Sequence, residues 1–154
     1  MAGHFFDASG LVKRYVNERG TVWVNSVLRP AAQNVVYVAR VTGVEVVSAI
    51  VRRGRGGSLS AAAVRAALAQ FRYEFAHDFE HVAVTPRLIF HAMALAEAHT
   101  LRDYDALQLA AALRANSRRL ARGVSGVILV CADAALNAAA VAEGLRFEDP
   151  NMHP

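Results

Sequence analysis

The sequence predicts an α/β domain, a parallel sheet covered by helices on both faces. Three observations carry that expectation. Short strand-like runs alternate with helical segments along the whole chain. At 154 residues, 55% hydrophobic and 19% charged, the chain is long enough and apolar enough to bury one core. It shows no internal repeat, low-complexity tract or linker, so residues 1–154 form a single domain.

Taken in order, residues 3–7 read as a short strand. Helical pattern follows over 10–17 and 19–28 and is stopped by Pro30. The β-branched run at 35–39 is the second strand. Thr42 opens a helix to about Arg53 that turns Val46, Val47, Ile50 and Val51 inward and ends at Gly54, Gly56 and Gly57. Ser60 caps the next helix, in which Val64, Leu68, Phe71, Phe75 and Phe79 recur at helical spacing. Residues 81–84 form the third strand. Thr85 and Pro86 are a cap and a proline at the first helical position of a helix running to about His99. Another helix starts near Asp103. Residues 127–131 are the fourth strand, 133–143 a helix stopped by Gly144, and 145–148 a short last strand.

Composition narrows the function classes. No apolar stretch approaches the ~20 residues of a membrane span. The start of the chain lacks a signal-peptide pattern, so a cytoplasmic location is expected. The lone cysteine, Cys131, leaves no internal disulfide and no cysteine-based zinc site. A net charge of +4 suits a polyanionic partner. Arginines cluster at Arg52, Arg53 and Arg55 and again at Arg118, Arg119 and Arg122; each cluster reads equally as phosphate contact or as a solvated helix end.

Four carboxylates stand where the chain otherwise reads as core: Asp7, Glu45, Asp105 and Asp133. Ionised carboxylates are rarely buried without a partner, and no lysine or arginine stands at matched spacing beside all four. A shared divalent cation explains them together. Open parallel sheets bind ligands outside the carboxyl ends of their strands. Asp7 ends strand one, Asp133 follows strand four, Glu45 starts the helix after strand two, and Asp105 lies in a first helical turn. Each acid also has a local explanation. Thr42 with Glu45 fits a capping box, Asp103 fits an N-cap with Asp105 in the favourable first turn, and Asp7 and Asp133 are each placed to cap a helix.

Competing motifs are missing. There is no phosphate-binding loop, no dinucleotide fingerprint after a strand, and no histidine pair in register on a helix. Ser9 has no histidine in register, which argues against a serine triad. Trp23, Val24, Val27 and Leu28 read as core packing.

The stretch Phe5-Phe6-Asp7-Ala8-Ser9-Gly10-Leu11-Val12-Lys13-Arg14-Tyr15 resembles the opening of PIN-domain ribonucleases of the VapC toxin type. Arg40-Val41-Thr42-Gly43-Val44-Glu45-Val46-Val47 resembles their second motif. Leu101-Arg102-Asp103-Tyr104-Asp105-Ala106-Leu107-Gln108 and Val130-Cys131-Ala132-Asp133-Ala134-Ala135-Leu136-Asn137 resemble the third and fourth, in matching order and spacing. The resemblance implies a PIN-like α/β/α sandwich whose five-stranded parallel sheet has the order 3-2-1-4-5, which sets strands one and four side by side. It also implies Mg²⁺ or Mn²⁺ at Asp7, Glu45, Asp105 and Asp133, a homodimer, a VapB-type antitoxin, and RNA as substrate, commonly transfer or ribosomal RNA. Three positions depart from the pattern. Cys131 replaces a serine or threonine, Asp103 adds an acid where many relatives have a small residue, and Gly43 replaces a larger residue.

The chemistry so implied is hydrolysis of a phosphodiester by water, leaving a 5′-phosphate and a 3′-hydroxyl. Divalent ions activate the water and neutralise the charge that builds up, and four acids suit one ion or two held ~3.5–4 Å apart. Ser9, Asp103 and Asn137 are candidates to support the ligands from behind, and Arg14, Arg52 and Arg53 to contact phosphate. Two other readings exist: a PIN-like RNA-binding module without turnover, and a receiver-like phosphoacceptor. The second needs a late lysine near the pocket, and the only lysine here is Lys13.

Overall fold

Five strands, β1 (Gly3–Phe6), β2 (Val35–Ala39), β3 (Glu80–Val82), β4 (Val127–Val130) and β5 (Arg146–Glu148), form one sheet. All pairings are parallel, and the order is β3-β2-β1-β4-β5. The computed structural model describes residues 1–154. Seven helices surround the sheet: α1 (Ala8–Leu11), α2 (Thr21–Leu28), α3 (Thr42–Arg55), α4 (Ala61–His77), α5 (Pro86–His99), α6 (Asp103–Ala121) and α7 (Ala134–Ala142).

Side chains of a strand point alternately to its two faces, and β1 sorts the two cores accordingly. Phe5 lies in the core built with α5, α6 and α7, while Phe6 lies in the core built with α1 to α4. Leu129 and Val130 of β4 divide in the same way. Both phenylalanines are fully buried, each contributing roughly 1.5–3 kcal/mol of transfer free energy. Helix α6 buries Ala106, Ala110, Ala111, Ala112 and Ala115, and these short side chains let it lie close on the sheet.

Capping follows the sequence where a short polar side chain precedes the helix. Ser60 accepts from Ala63 N–H at 3.1 Å, and Thr85 accepts from Leu88 N–H at 3.1 Å. Elsewhere the elements differ from expectation. The helix expected over 10–17 is α1 followed by a 3₁₀ turn at Val12–Arg14, and the one expected from 19 begins at Thr21, behind Gly20 with φ +88°. The third strand spans Glu80–Val82, leaving Val84 outside it. Helix α3 continues through Gly54 to Arg55, and glycine fits there because α4 packs so closely that a Cβ on Gly54 would stand 2.6 Å from Val64. Val51, expected inward, is 39% exposed on the outer side of α3. No helix is long and apolar enough to cross a membrane.

Candidate active site

With β1 between β2 and β4, the segments that follow these three strands emerge side by side. Phe6 ends β1 opposite Val130, which ends β4. Asp7 and the Cys131–Ala132–Asp133 turn therefore leave the sheet at one level, and Asp7 N–H still donates to Val130 O at 3.2 Å.

Asp7 is 4% exposed and caps α1, its Oδ1 accepting from Gly10 N–H at 2.9 Å. Ser9 Oγ lies 2.8 and 2.9 Å from the two carboxylate oxygens and accepts from Ala132 N–H at 3.0 Å. One hydroxyl thus ties the turn after β1 to the turn after β4. Gly10 is required at its position, since a Cβ there would stand 2.6 Å from Val130 O. Burial pushes the Asp7 carboxyl up to about 6, against the opposing hydrogen bonds from Gly10, Ser9 and Cys131. Burial, reinforced by the Asp7 charge, also pushes the Cys131 thiol far up. The thiol stays protonated, with Sγ 3.3 Å from Asp7 Oδ2. Cys131 therefore keeps a donor, though a weaker one than a serine or threonine hydroxyl would be.

Glu45 sits half-buried in the first turn of α3. Gln108 of α6, 2% exposed, donates through Nε2 to Glu45 Oε1 at 2.7 Å and to Thr42 Oγ1 at 2.9 Å. The expected capping box does not form. Val41 occupies the cap without a side-chain bond, and Thr42, fully buried, turns inward to Gln108. Burial pushes the Glu45 carboxyl up to about 7; the Gln108 bond opposes this, and the charges of Asp7, Asp105 and Asp103 add to it. Gly43, in the same turn, fits because a Cβ there would approach the Phe75 ring at 3.0 Å.

Asp105 is raised as well, by burial first and then by Asp133 and Asp103, with Arg102 opposing. Mutual repulsion thus links Asp7 to Glu45, Glu45 to Asp105, and Asp105 to Asp133. Asp133 is exposed and caps α7, accepting from Leu136 N–H at 2.9 Å. One turn on, Asn137 Nδ2 donates to Cys131 O at 2.9 Å and braces the same turn. Asp103 is the first residue of α6; Arg102, not Asp103, occupies the cap.

None of the four acids forms an ion pair. No three of the chain's His, Cys, Asp or Glu side chains converge closely enough to hold a metal ion by themselves. The crevice is nevertheless rich in oxygen acceptors. Gln108 Oε1 and Asn137 Oδ1, on the two amides that brace Glu45 and the Cys131 turn, are buried without a donor. Oxygen donors of this kind fit a hard cation such as Mg²⁺, which keeps several waters and takes only one or two protein carboxylates.

The expected phosphate contacts separate. Arg14 is committed to Glu74 through a two-pronged pair, Nε–Oε2 and Nη2–Oε1 both at 2.7 Å, and to Asn25 Oδ1 at 3.1 Å. Arg53 pairs with Glu18 at 2.9 Å. Only Arg52 is exposed and unpaired, and it lines a groove of about 500 Å³ with Ser9, Glu45, Ser48 and Tyr104. Gln108 is the residue that sequence reasoning passed over. Its signal was a single polar side chain inside the apolar run from Ala106 to Ala112.

No family model matches the sequence, and no curated protein matches it. Solved structures do. The chain aligns with PAE2754 from Pyrobaculum aerophilum at a TM-score of 0.61 and 18% identity, over 95% of this chain and 89% of the other. It aligns with a chain of VapBC2 from Rickettsia felis, solved bound to a DNA fragment from their promoter, at a TM-score of 0.58 and 14% identity, over 95% and 97%. This likeness establishes the fold. It is the PIN-like α/β/α sandwich with sheet order 3-2-1-4-5.

Proposed function

We propose that the chain is a VapC-type, metal-dependent endoribonuclease that takes Mg²⁺ or Mn²⁺ at Asp7, Glu45, Asp105 and Asp133. One observation carries the reading. Four acids from four separate segments lie along the carboxyl edge of the sheet, the charges of Asp7 and Asp105 raise Glu45 and that of Asp133 raises Asp105, and none of the four forms an ion pair. Such repulsion is unfavourable in the empty protein and is relieved by a bound divalent ion.

When bound, the ion supplies the Lewis acidity that activates water and neutralises charge on the scissile phosphate. The protein's own groups do the placing. Ser9 and Gly10 fix the Asp7 carboxylate, and Gln108 fixes Glu45 by Oε1, leaving Oε2 without a hydrogen bond. Asn137 and Ser9 hold the turn that carries Asp133. Water adds to phosphorus as the P–O3′ bond breaks; one water proton goes to solvent and the departing O3′ gains one, leaving a 5′-phosphate and a 3′-hydroxyl.

The proposed regulator is a VapB-type antitoxin that presents a basic side chain to the acidic crevice, because a guanidinium fork takes two carboxylate oxygens at once. The chain acts as a homodimer in the same proposal. The test is cleavage of single-stranded RNA with Mn²⁺, with chelator, and by Asp7→Asn. Cleavage only in the first condition, with 5′-phosphate ends, supports the reading. RNA binding without cleavage in any condition would make the chain a binding module instead.

A further inference from the structure

A second polar cavity lies away from the acids, between the head of α5 and the last third of α6. It measures about 320 Å³, and its walls include Arg87, Arg114 and Arg118 together with His91, Thr85 and Ser117. None of the three arginines forms an ion pair or a side-chain hydrogen bond, although the fold pairs Arg14 and Arg53 and buries Arg119 against Ser125 O and Met1 O. Arg118 and Arg119 were indistinguishable neighbours in the sequence. In the structure one is a buried strut and the other opens into the cavity. No acid lines the cavity. At the head of α5, Thr85 occupies the Leu88 N–H, Pro86 has no N–H, and the Arg87 N–H has no partner. The start of a helix and three arginines without a side-chain partner thus line the same space.

We infer that this cavity binds a phosphate of the RNA backbone at a distance from the bond that is cut. The identity of the anion rests on the nuclease reading above; the site itself does not. Arginine forks accept carboxylate as well as phosphate, so position decides between them. Helix α6 carries both Asp105 and Arg118, separated by about 20 Å along its axis. Between the two sites lies Arg40, exposed and unpaired, whose N–H donates at 3.0 Å to the O of Val82, a wall residue of the cavity. A strand leaving the acidic crevice thus meets a basic side chain on its way to the cavity, as one continuous RNA requires.

The test is binding of a fluorescent single-stranded RNA 12-mer in chelator, so that nothing is cut, over a series of salt concentrations. Arg114→Ala/Arg118→Ala and Arg87→Ala are compared with the charge-matched control Arg65→Ala/Arg72→Ala, whose arginines are exposed on α4. The expected result is a tenfold or greater loss of affinity for the cavity variants alone. Their salt dependence should also become shallower by about 0.7 in log–log slope for each phosphate that is no longer neutralised. Mn²⁺-dependent hydrolysis of bis(4-nitrophenyl) phosphate, too short to reach the cavity, should be equal in wild type and cavity variants. RNA affinity and slope unchanged, or lowered equally in the control, would overturn the inference. So would cavity variants that keep RNA affinity and lose binding of a polyglutamate peptide. Weakened RNA binding in the cavity variants, with no hydrolysis even by wild type, would reject the nuclease reading and leave the cavity assignment standing.

Discussion

Gln108 Nε2 donates to Glu45 Oε1 at 2.7 Å, joining the second turn of α6 to the first turn of α3. Glu45 would otherwise be a half-buried carboxylate without a hydrogen bond, repelled by three neighbouring acids. The same amide holds Thr42, so the entry of α3 and the position of its acid are fixed by a single side chain. Replacing Gln108 by leucine leaves Glu45 unsatisfied, at a cost of about 1–3 kcal/mol. We expect Gln108→Leu to lower ribonuclease turnover and to raise the Glu45 pKa further, which a shift of the activity–pH profile toward alkaline pH reports. Gln108→Glu should lower turnover more, since it replaces a donor with a like charge.

The four acids should not respond alike to alanine. Asp7 and Asp133 are caps, so each alanine should cost roughly 0.5–2 kcal/mol of stability in addition to activity. Glu45 and Asp105 cap nothing, and removing either relieves repulsion. Their alanine variants should abolish turnover with melting temperature unchanged or raised. Asp103→Ala, at an exposed position, should change either property little. Denaturant melts paired with RNA cleavage rates separate these cases.

Arg14 is predicted to matter for folding and not for RNA. Its partner Glu74 is held below the ordinary carboxylate range: burial works against this, and the bonds from Arg14, Tyr15 and Gln70 outweigh it. Glu74→Ala leaves a guanidinium that is only 17% exposed without its charge partner, and should cost about 3 kcal/mol. Chemical denaturation measures that loss. RNA affinity of the folded variant, measured in chelator, should be unchanged.

In the metal-free protein, Asp7 at about 6 and Glu45 at about 7 hold protons that the unfolded chain has released above its ordinary carboxylate pKa of about 4. The native state then binds more protons than the unfolded state, so these groups make stability fall as pH rises from about 4 to 7. Glu74, shifted the other way, adds its stability below the ordinary carboxylate pKa and contributes a constant amount above it. The difference between wild type and Asp7→Asn/Glu45→Gln isolates the fall. In chelator, the double variant should lose less stability than wild type between pH 5 and pH 7.5.

Much of this arrangement was legible in the sequence because it is local or periodic. Ser60 and Thr85 act as caps, the Phe71 face of α4 is buried, and the strand–helix alternation yields a parallel sheet. Asp7 and Asp133 turned out to be caps while also lying at the acidic edge, so the local and functional explanations were never exclusive. What stayed hidden depends on contacts between residues far apart in the chain. Arg14 finds Glu74 sixty positions away, Glu45 finds Gln108 sixty-three away, and Thr42 turns from its own helix end to that same glutamine. A capping box and an inward-facing threonine look identical in sequence; only the reach of the Gln108 side chain from α6 to the first turn of α3 decides between them.

The central claim is that Asp7, Glu45, Asp105 and Asp133 together hold a divalent ion. An ion that binds only the native state raises its stability in proportion to occupancy, and binding competes with protons on the raised carboxylates. The most direct measurement is the melting temperature across a Mn²⁺ titration at pH 7.5 and at pH 5.5, for wild type, Asp7→Asn and Asp105→Asn. A saturable rise in wild type, smaller at pH 5.5 and absent in both variants, is the predicted result. An equal rise in all three proteins, or none in wild type, would contradict it.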